Sequence, residues 1–278
     1  MFKILKKERL APHVNKFLIH APWVTKNCKP GQFVIIRVDE EGERIPLTIA
    51  EYDREQGTIT LIVQEVGKTT YKLGDLDEGD AIEDVIGPLG RPAEIAKVGT
   101  VVTIGGGVGT AIVYPETRAF KEAGNYLISI VGYKNKELII LEEEMRQYSD
   151  ELYVTTDDGS YGRQGFVSDQ LKDLIESGRK IDLVLTIGPA IMMKVICDLT
   201  RKFNIKTIVS LNSIMMDGTA MCGGCRVEVN GKTRFACVDG PEFDGHQVNF
   251  DLLMKRLGTY RDQEKESLER YLQNKEKA

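Results

Sequence analysis

TVVTIGGGVGTAIVYPETRAFKEAG, residues 100–124, decides the fold. Thr100 to Ile104 are β-branched or apolar, a glycine run follows at once, and apolar residues then recur at helical spacing. This predicts a strand, a tight turn and a helix. Toward the C-terminus the same unit repeats: YLISIVGYK (126–134) precedes LEEEMRQYS (141–149), ELYVTTDDG (151–159) precedes FVSDQLKDLIESG (166–178), IDLVLTIG (181–188) precedes AIMMKVICDLTRKF (190–203), and KTIVSLN (206–212) follows. Strands alternating with helices predict a doubly wound parallel sheet, hence an α/β domain.

Toward the N-terminus the pattern shortens to β-branched and alternating runs such as FLIHAP (17–22), QFVIIRV (32–38), RIPLTIAEYD (44–53) and TITLIVQEV (58–66), separated by Gly, Pro and Asp turns. That pattern predicts a small antiparallel β-barrel. The expected organisation is a barrel over 1–97, an α/β domain over 98–212, a Gly-, Cys- and Asp-rich segment over 213–250 that needs a cofactor to order it, and a tail over 251–278. The tail places Leu252, Leu253, Arg256, Leu257 and Tyr260 at helical spacing, with Leu268, Tyr271 and Leu272 further on, and reads as a helix that packs on something. At 278 residues the chain is long enough for two domains with separate cores.

With 42% hydrophobic and 28% charged residues the chain is expected to be folded throughout. Its net charge of −5 offers no basic face for a nucleic-acid backbone. No apolar run approaches the roughly 18 residues that span a bilayer. The start, MFKILKKERLAP, lacks the apolar centre of a signal peptide. A cytoplasmic protein is expected, with neither nucleic acid nor membrane as partner.

Three of the five cysteines crowd into DGTAMCGGCRVEVNGKTRFAC, residues 217–237. Two close thiols and a distant one, Cys222, Cys225 and Cys237, suit a metal held by a loop and the hairpin after it. Plant-type [2Fe–2S] sites use C-x4-C-x2-C and a distant cysteine. Here the pattern is D-x4-C-x2-C-x11-C, with Asp217 in the first place. A carboxylate supplies a comparable anionic ligand, although a harder one. A structural zinc site using the three cysteines and His246 competes with this reading. Cys28 and Cys197 stand alone and are expected to be small buried hydrophobes.

The turn from Gly105 to Thr110 reads G-x-G-x-x-T, an approximation of the dinucleotide fingerprint. Its helix can present amide groups to a pyrophosphate. TTDDGSYG (155–162) and IGPAIMMK (187–194) close two further strands at the same sheet edge, where open α/β sheets bind ligands. In the barrel, Gly67, Lys68, Thr69 and Thr70 look like the end of a phosphate loop. Ile62 stands where the first glycine would be, so a Walker A loop is excluded. The turn can still hold a diphosphate or be an ordinary helix start.

Taken in order, IPLTIAEYD, VGKTT, IGPLGRP, IGGGVGTA, TTDDGSYGRQG, IGPAIMM, MCGGC and CVDGPEF resemble the ferredoxin–NADP reductase superfamily over nearly the whole chain. Within it the chain is most similar to the iron–sulfur electron-transfer subunits of dihydroorotate dehydrogenase type. The aspartate in the first ligand position resembles the small subunits of NADH-dependent reduced ferredoxin:NADP oxidoreductases, also called sulfide dehydrogenase beta subunits.

The resemblance implies FAD, NAD(H) and one [2Fe–2S] cluster held by Asp217, Cys222, Cys225 and Cys237. The family's flavin motif falls on Ile45, Pro46, Leu47 and Thr48, with Thr48 beside the flavin ring and Arg44 one place early, on the other face of the strand. Ile62 and Val63, with Gly67, Lys68, Thr69 and Thr70, complete the expected FAD site. Gly106, Gly107, Val108, Gly109, Thr110, Asp157, Gly159, Ser160, Gly188, Pro189 and Met192 make the expected nicotinamide-nucleotide site, and Lys134 could face a 2′-phosphate. The resemblance also implies a larger flavin and iron–sulfur partner in a heterodimer, reaching ferredoxin through that complex, and flavin-based electron bifurcation. The readings that compete with this are the electron-transfer subunit of a dihydroorotate dehydrogenase and a zinc-stabilised nucleotide-binding regulator. No acid–base catalyst is expected, because hydride transfer needs none.

Overall fold

In the computed structural model, which describes residues 1–277, the alternating runs of the N-terminal third form strands β1 (Phe2–Ala11) and β2 (Val14–His20), helix α1 (Pro22–Asn27), strands β3 (Phe33–Arg37), β4 (Arg44–Thr48), β5 (Glu51–Asp53) and β6 (Thr58–Gln64), helix α2 (Lys68–Gly74), and strands β7 (Ala81–Ile82) and β8 (Asp84–Leu89). They make two antiparallel sheets, ordered β5-β6-β2-β1-β7 and β4-β3-β8. Alternation turns Phe17, Ile19, Ile59 and Leu61 of one sheet toward Val34 and Ile36 of the other. With Leu73 of α2 they form a fully buried core.

The strand-turn-helix stretch that opens the second half becomes β9 (Thr100–Gly106) and α3 (Gly109–Glu122). It is followed by β10 (Tyr126–Tyr133), α4 (Glu142–Gln147), β11 (Glu151–Thr156), β12 (Arg163–Gln164), α5 (Val167–Glu176), β13 (Leu183–Ile187), α6 (Ala190–Lys202) and β14 (Thr207–Ser210). Val101, Leu127 and Leu185 pack under α3 and α4, while Val102, Ile128 and Val184 pack under α5 and α6. Burial on both faces explains why these strands are apolar throughout. The parallel strands run β12-β11-β10-β9-β13-β14. The chain therefore leaves β9 in one direction and returns on its other side, so the turns after β9 and β13 are neighbours at a topological switch point.

The cysteine-rich segment contributes a hairpin, β15 (Arg226–Val229) and β16 (Lys232–Phe235), then α7 (Ala236–Asp239) and β17 (Glu242–Asp244). Asn230 and Gly231 both have positive φ, the geometry of a tight two-residue hairpin turn. Strand β17 pairs antiparallel with β14 and so extends the nucleotide-domain sheet. Cys225, Val227 and Cys237 share one core with Phe33 and Ile35 of β3 and with Met193 and Cys197 of α6.

The tail is two helices rather than one: α8 (Phe250–Leu257) packs on α6, and α9 (Arg261–Lys277) follows after a break at Gly258. Helix α9 buries no residue and is fastened to α2 by Tyr271, whose hydroxyl donates to the Asp75 carboxylate at 2.6 Å, and by Lys275, paired with the same group. Cys28 and Cys197 are buried, as their isolation suggested. No helix among the described residues is long and apolar enough to cross a membrane.

Candidate functional site

A cleft of about 1130 Å³ opens between the barrel and the C-terminal edge of the parallel sheet. The barrel contributes Pro46, Leu47 and Thr48 from β4, Ile62 and Val63 from β6, and Thr70 from α2. Ile45 and Leu47 also pack against the barrel core. The sheet edge contributes Gly106, Gly107, Val108, Gly109, Asp157, Gly188, Pro189 and Met192, together with Lys134. Glycine is required where the two turns meet, because a Cβ on Gly109 would fall on the carbonyl of Ile187.

The remaining expected residues lie outside this lining. Thr110 is fully buried and accepts a hydrogen bond from the Tyr133 hydroxyl at 2.9 Å, so it fastens the turn from behind. Ser160 donates to Asp158 at 2.6 Å and accepts from the Lys136 amide at 2.8 Å, and Gly159 lies in the same exposed turn. Thr69 donates to Glu43 at 3.1 Å, and Lys68 faces the same carboxylate at 3.9 Å, both turned to the loop between β3 and β4. Gly67 is the N-cap of α2. The Thr70 hydroxyl accepts from the amides of Val66 and Gly67, at 2.9 and 3.0 Å, and so holds this turn in shape. The first-turn amides of residues 68–70 have no carbonyl a turn earlier and remain free to bind an anion. Arg44 opens β4 opposite Arg37 and does not line the cleft.

Sequence reasoning missed the run Ser210, Leu211, Asn212, Ser213 and Met215, and also Pro241, all of which line the cleft. The available signal was KTIVSLN: a fifth parallel strand must also deliver its C-terminal residues to the ligand edge. Two cleft-lining hydroxyls, Thr155 Oγ1 and Ser213 Oγ, are buried without a hydrogen-bond partner among the described residues. A buried orphan hydroxyl is costly, so a cleft with such groups and apolar walls fits a polar, ring-bearing ligand such as a dinucleotide.

The segment that leaves this cleft leads directly to the cysteines. Asp217 accepts from the amides of Thr219 and Cys222, at 2.7 and 2.5 Å, and these bonds hold its carboxyl below the usual aspartate range. Cys222 is exposed, whereas Cys225 and Cys237 are buried with their sulfurs 3.1 Å apart. The Ala220 amide points at Cys237 Sγ (3.2 Å) and the Gly224 amide at Cys222 Sγ (3.4 Å). Burial, then the neighbouring Cys225, pushes the Cys237 thiol up to about 12, and Asp217 is close enough to add to that push. Only Cys225 and Cys237 form a close pair, and among the described residues no three or more potential ligands are already grouped to hold a metal ion. Thiols lose their protons when a metal binds, and the amides aimed at sulfur suit an anionic cluster. Each Asp217 oxygen keeps a second lone pair. His246 is not gathered with the cysteines: its Nε2 bonds Thr200 Oγ1 at 2.9 Å, and no group of three or more potential metal ligands among the described residues includes it.

Behind the cleft, Glu116 of α3 is fully buried with neither oxygen hydrogen-bonded among the described residues, and the neighbouring carboxyl is Glu242 of β17. Burial, then Glu242, raises Glu116 well above the ordinary glutamate value. Burial raises Glu242 too, with Glu94 adding to it.

Residues 212–249 match the family described as the iron–sulfur cluster binding domain of dihydroorotate dehydrogenase B. The chain is 50% identical over 270 residues to a Thermotoga maritima homolog of the dihydroorotate dehydrogenase B (NAD⁺) electron transfer subunit, covering 97% of this chain and 95% of that one. It is 31% identical over 252 residues to the corresponding Fusobacterium nucleatum subunit, covering 87% and 95%. A chain in a structure of the NADH-dependent reduced ferredoxin-NADP oxidoreductase, solved for insight into flavin-based electron bifurcation, superposes with a TM-score of 0.93 at 50% identity over 98% of each chain. An Amycolatopsis cytochrome P450 reductase, 20% identical, shares the fold over 72% of this chain and 65% of its own, with a TM-score of 0.61.

Proposed function

The chain belongs to the family of dihydroorotate dehydrogenase B electron-transfer subunits, and from that premise we propose that it carries electrons between NAD(H), FAD and a [2Fe–2S] cluster as the small subunit of a bifurcating NADH/ferredoxin:NADP oxidoreductase. The observation that carries this reading is the continuity of two sites. Ser210 to Ser213 and Met215 line the cleft, and the chain then passes at once into the loop of Asp217 and Cys222. FAD held in the cleft would supply hydride acceptance and one-electron release, and a cluster held by Asp217, Cys222, Cys225 and Cys237 would supply a one-electron carrier.

The protein's own residues supply position and environment. On this reading residues 1–97 hold FAD, 98–212 hold NAD(H), 213–250 hold the cluster, and the tail of 251–278 follows. Thr48 offers a hydroxyl at the flavin ring, with Pro46 and Leu47 as its apolar support. Ile62 and Val63 wall the flavin side. The first turn of α2, shaped by Thr70, faces the diphosphate, and Gly67, Lys68 and Thr69 act there through the backbone. Gly106 to Gly109, Gly188, Pro189 and Met192 admit the nicotinamide nucleotide, Thr110 braces that turn, and Asp157, Gly159 and Ser160 border it. Asp217, Cys222, Cys225 and Cys237 ligate the cluster. The subunit works in the cytoplasm as a heterodimer with a larger flavin and iron–sulfur protein that deals with ferredoxin.

A second reading, pairing with a dihydroorotate-oxidising partner, is favoured by the 31% identity to the Fusobacterium subunit. Purification under anaerobic conditions tests both readings. Flavin bands, an iron–sulfur shoulder and NADH-dependent bleaching are expected, with a flavin and iron–sulfur partner co-purifying. Zinc in place of iron, or no flavin, would sink the redox reading, and a dihydroorotate-oxidising partner would replace the first reading with the second.

A further inference from the structure

Helix α8 reaches back to the cysteine loop. Arg256 donates through Nη2 to the carbonyl of Gly224 at 3.1 Å, and Gly224 lies between Cys222 and Cys225. The amide of the same residue points at Cys222 Sγ, so Gly224 is held through both its N–H and its C=O. Arg256 is half-buried, has no carboxylate oxygen within 4.0 Å among the described residues, and directs its guanidinium at the loop. Beside it is a cavity of about 10 Å³, large enough for roughly one water, lined by Ser213, Gly224, Arg226 and Arg256. Ser213 Oγ is one of the orphan hydroxyls, and it borders both this cavity and the large cleft.

We infer that Arg256 is a positioning residue for the cluster: it fixes the Cys222–Cys225 loop and sets the cluster's reduction potential through its charge. The inference rests on the cluster proposed above. Three thiolates and a carboxylate make a cluster that is anionic when oxidised and more so when reduced. A fixed cation held in a partly dry setting stabilises the reduced form more and raises the potential. Lys255, the preceding residue, is exposed and serves as a control for the general charge of the tail.

The test is a potentiometric titration of the full chain with FAD and cluster loaded, followed by electron paramagnetic resonance. Arg256→Gln is expected to shift the cluster to a more negative potential, Arg256→Lys to stay near wild type, and Lys255→Gln to leave the potential unmoved. An unmoved Arg256→Gln overturns the inference, as does an equal shift in Lys255→Gln. If Arg256→Gln does not load a cluster, Arg256→Lys decides: a wild-type potential supports the charge role, and a shifted or missing cluster marks a merely structural clamp and overturns it. A wild-type chain with flavin and no iron would instead defeat the functional reading, before Arg256 is in question.

Discussion

Asp217 accepts two backbone hydrogen bonds inside the cysteine loop, so its replacement tests two roles at once. Asp217→Ala leaves both amides without an acceptor and removes the proposed carboxylate ligand. The expected result is loss of the iron–sulfur absorbance and resonance signal with the FAD content unchanged. Asp217→Asn keeps an acceptor and drops the charge. A cluster that survives in Asn but not in Ala would assign Asp217 to loop geometry alone.

Glu116 and Glu242 make a pH prediction with a definite sign. Their carboxyls sit above the ordinary glutamate value in the fold. A group with a raised folded pKa contributes stability that is complete below its unfolded value, about 4.3, and is lost as pH rises through the folded value. Stability from this pair therefore declines from weakly acid toward alkaline pH. Glu116→Gln keeps the shape and removes the titration, so its melting temperature is expected to fall less than wild type between pH 5.5 and about 8.5. Parallel melting curves against pH would refute the raised values of these carboxyls.

At the scale of elements, the start of α2 depends on one hydroxyl. Thr70→Val removes the acceptor of the Val66 and Gly67 amides, as in the loss of a cap, and is expected to cost about 1 kcal/mol of stability. FAD should also be retained less well through gel filtration, while Thr70→Ser should restore both properties. Fluorescence-monitored denaturation and flavin quantification measure the two effects.

The long elements could be read in the sequence because their periods are local: the apolar strands, the helices after them, and the glycine turns that need close approach or positive φ. Strands β12 and β17 could not, because two or three residues carry no alternation and owe their state to a neighbouring strand. The division between α8 and α9 had a local sign, Gly258, which the continuing helical spacing outweighed. In the site, Gly106 to Gly109 and Gly188 announced themselves chemically. Lys68 and Thr69 read equally well as phosphate ligands, and only the fold could bring Glu43 to them from another loop. Ser213 matters by position alone, which no residue type signals.

In the whole molecule, the cysteine segment is not a pendant loop. It shares a core with β3 of the barrel and α6 of the nucleotide domain. Removing the metal should therefore be felt beyond its ligands. In Cys237→Ser, amide exchange is expected to quicken over residues 213–250 and in the adjoining β14, while β1 and β2 keep wild-type protection. Quickening confined to residues 217–225 would mean that the core holds without the cluster.

Strand β17 closes the side of the parallel sheet on which β14 would otherwise be outermost. An uncovered strand offers its amides and carbonyls to any extended chain nearby, including other copies of itself. The piece that covers β14 belongs to the same segment as the proposed metal ligands. A chain that never acquires iron is therefore more than a dark enzyme. Should that segment detach without metal, it would bare a strand that invites self-association, and metal delivery would then bear on solubility as well as on redox competence.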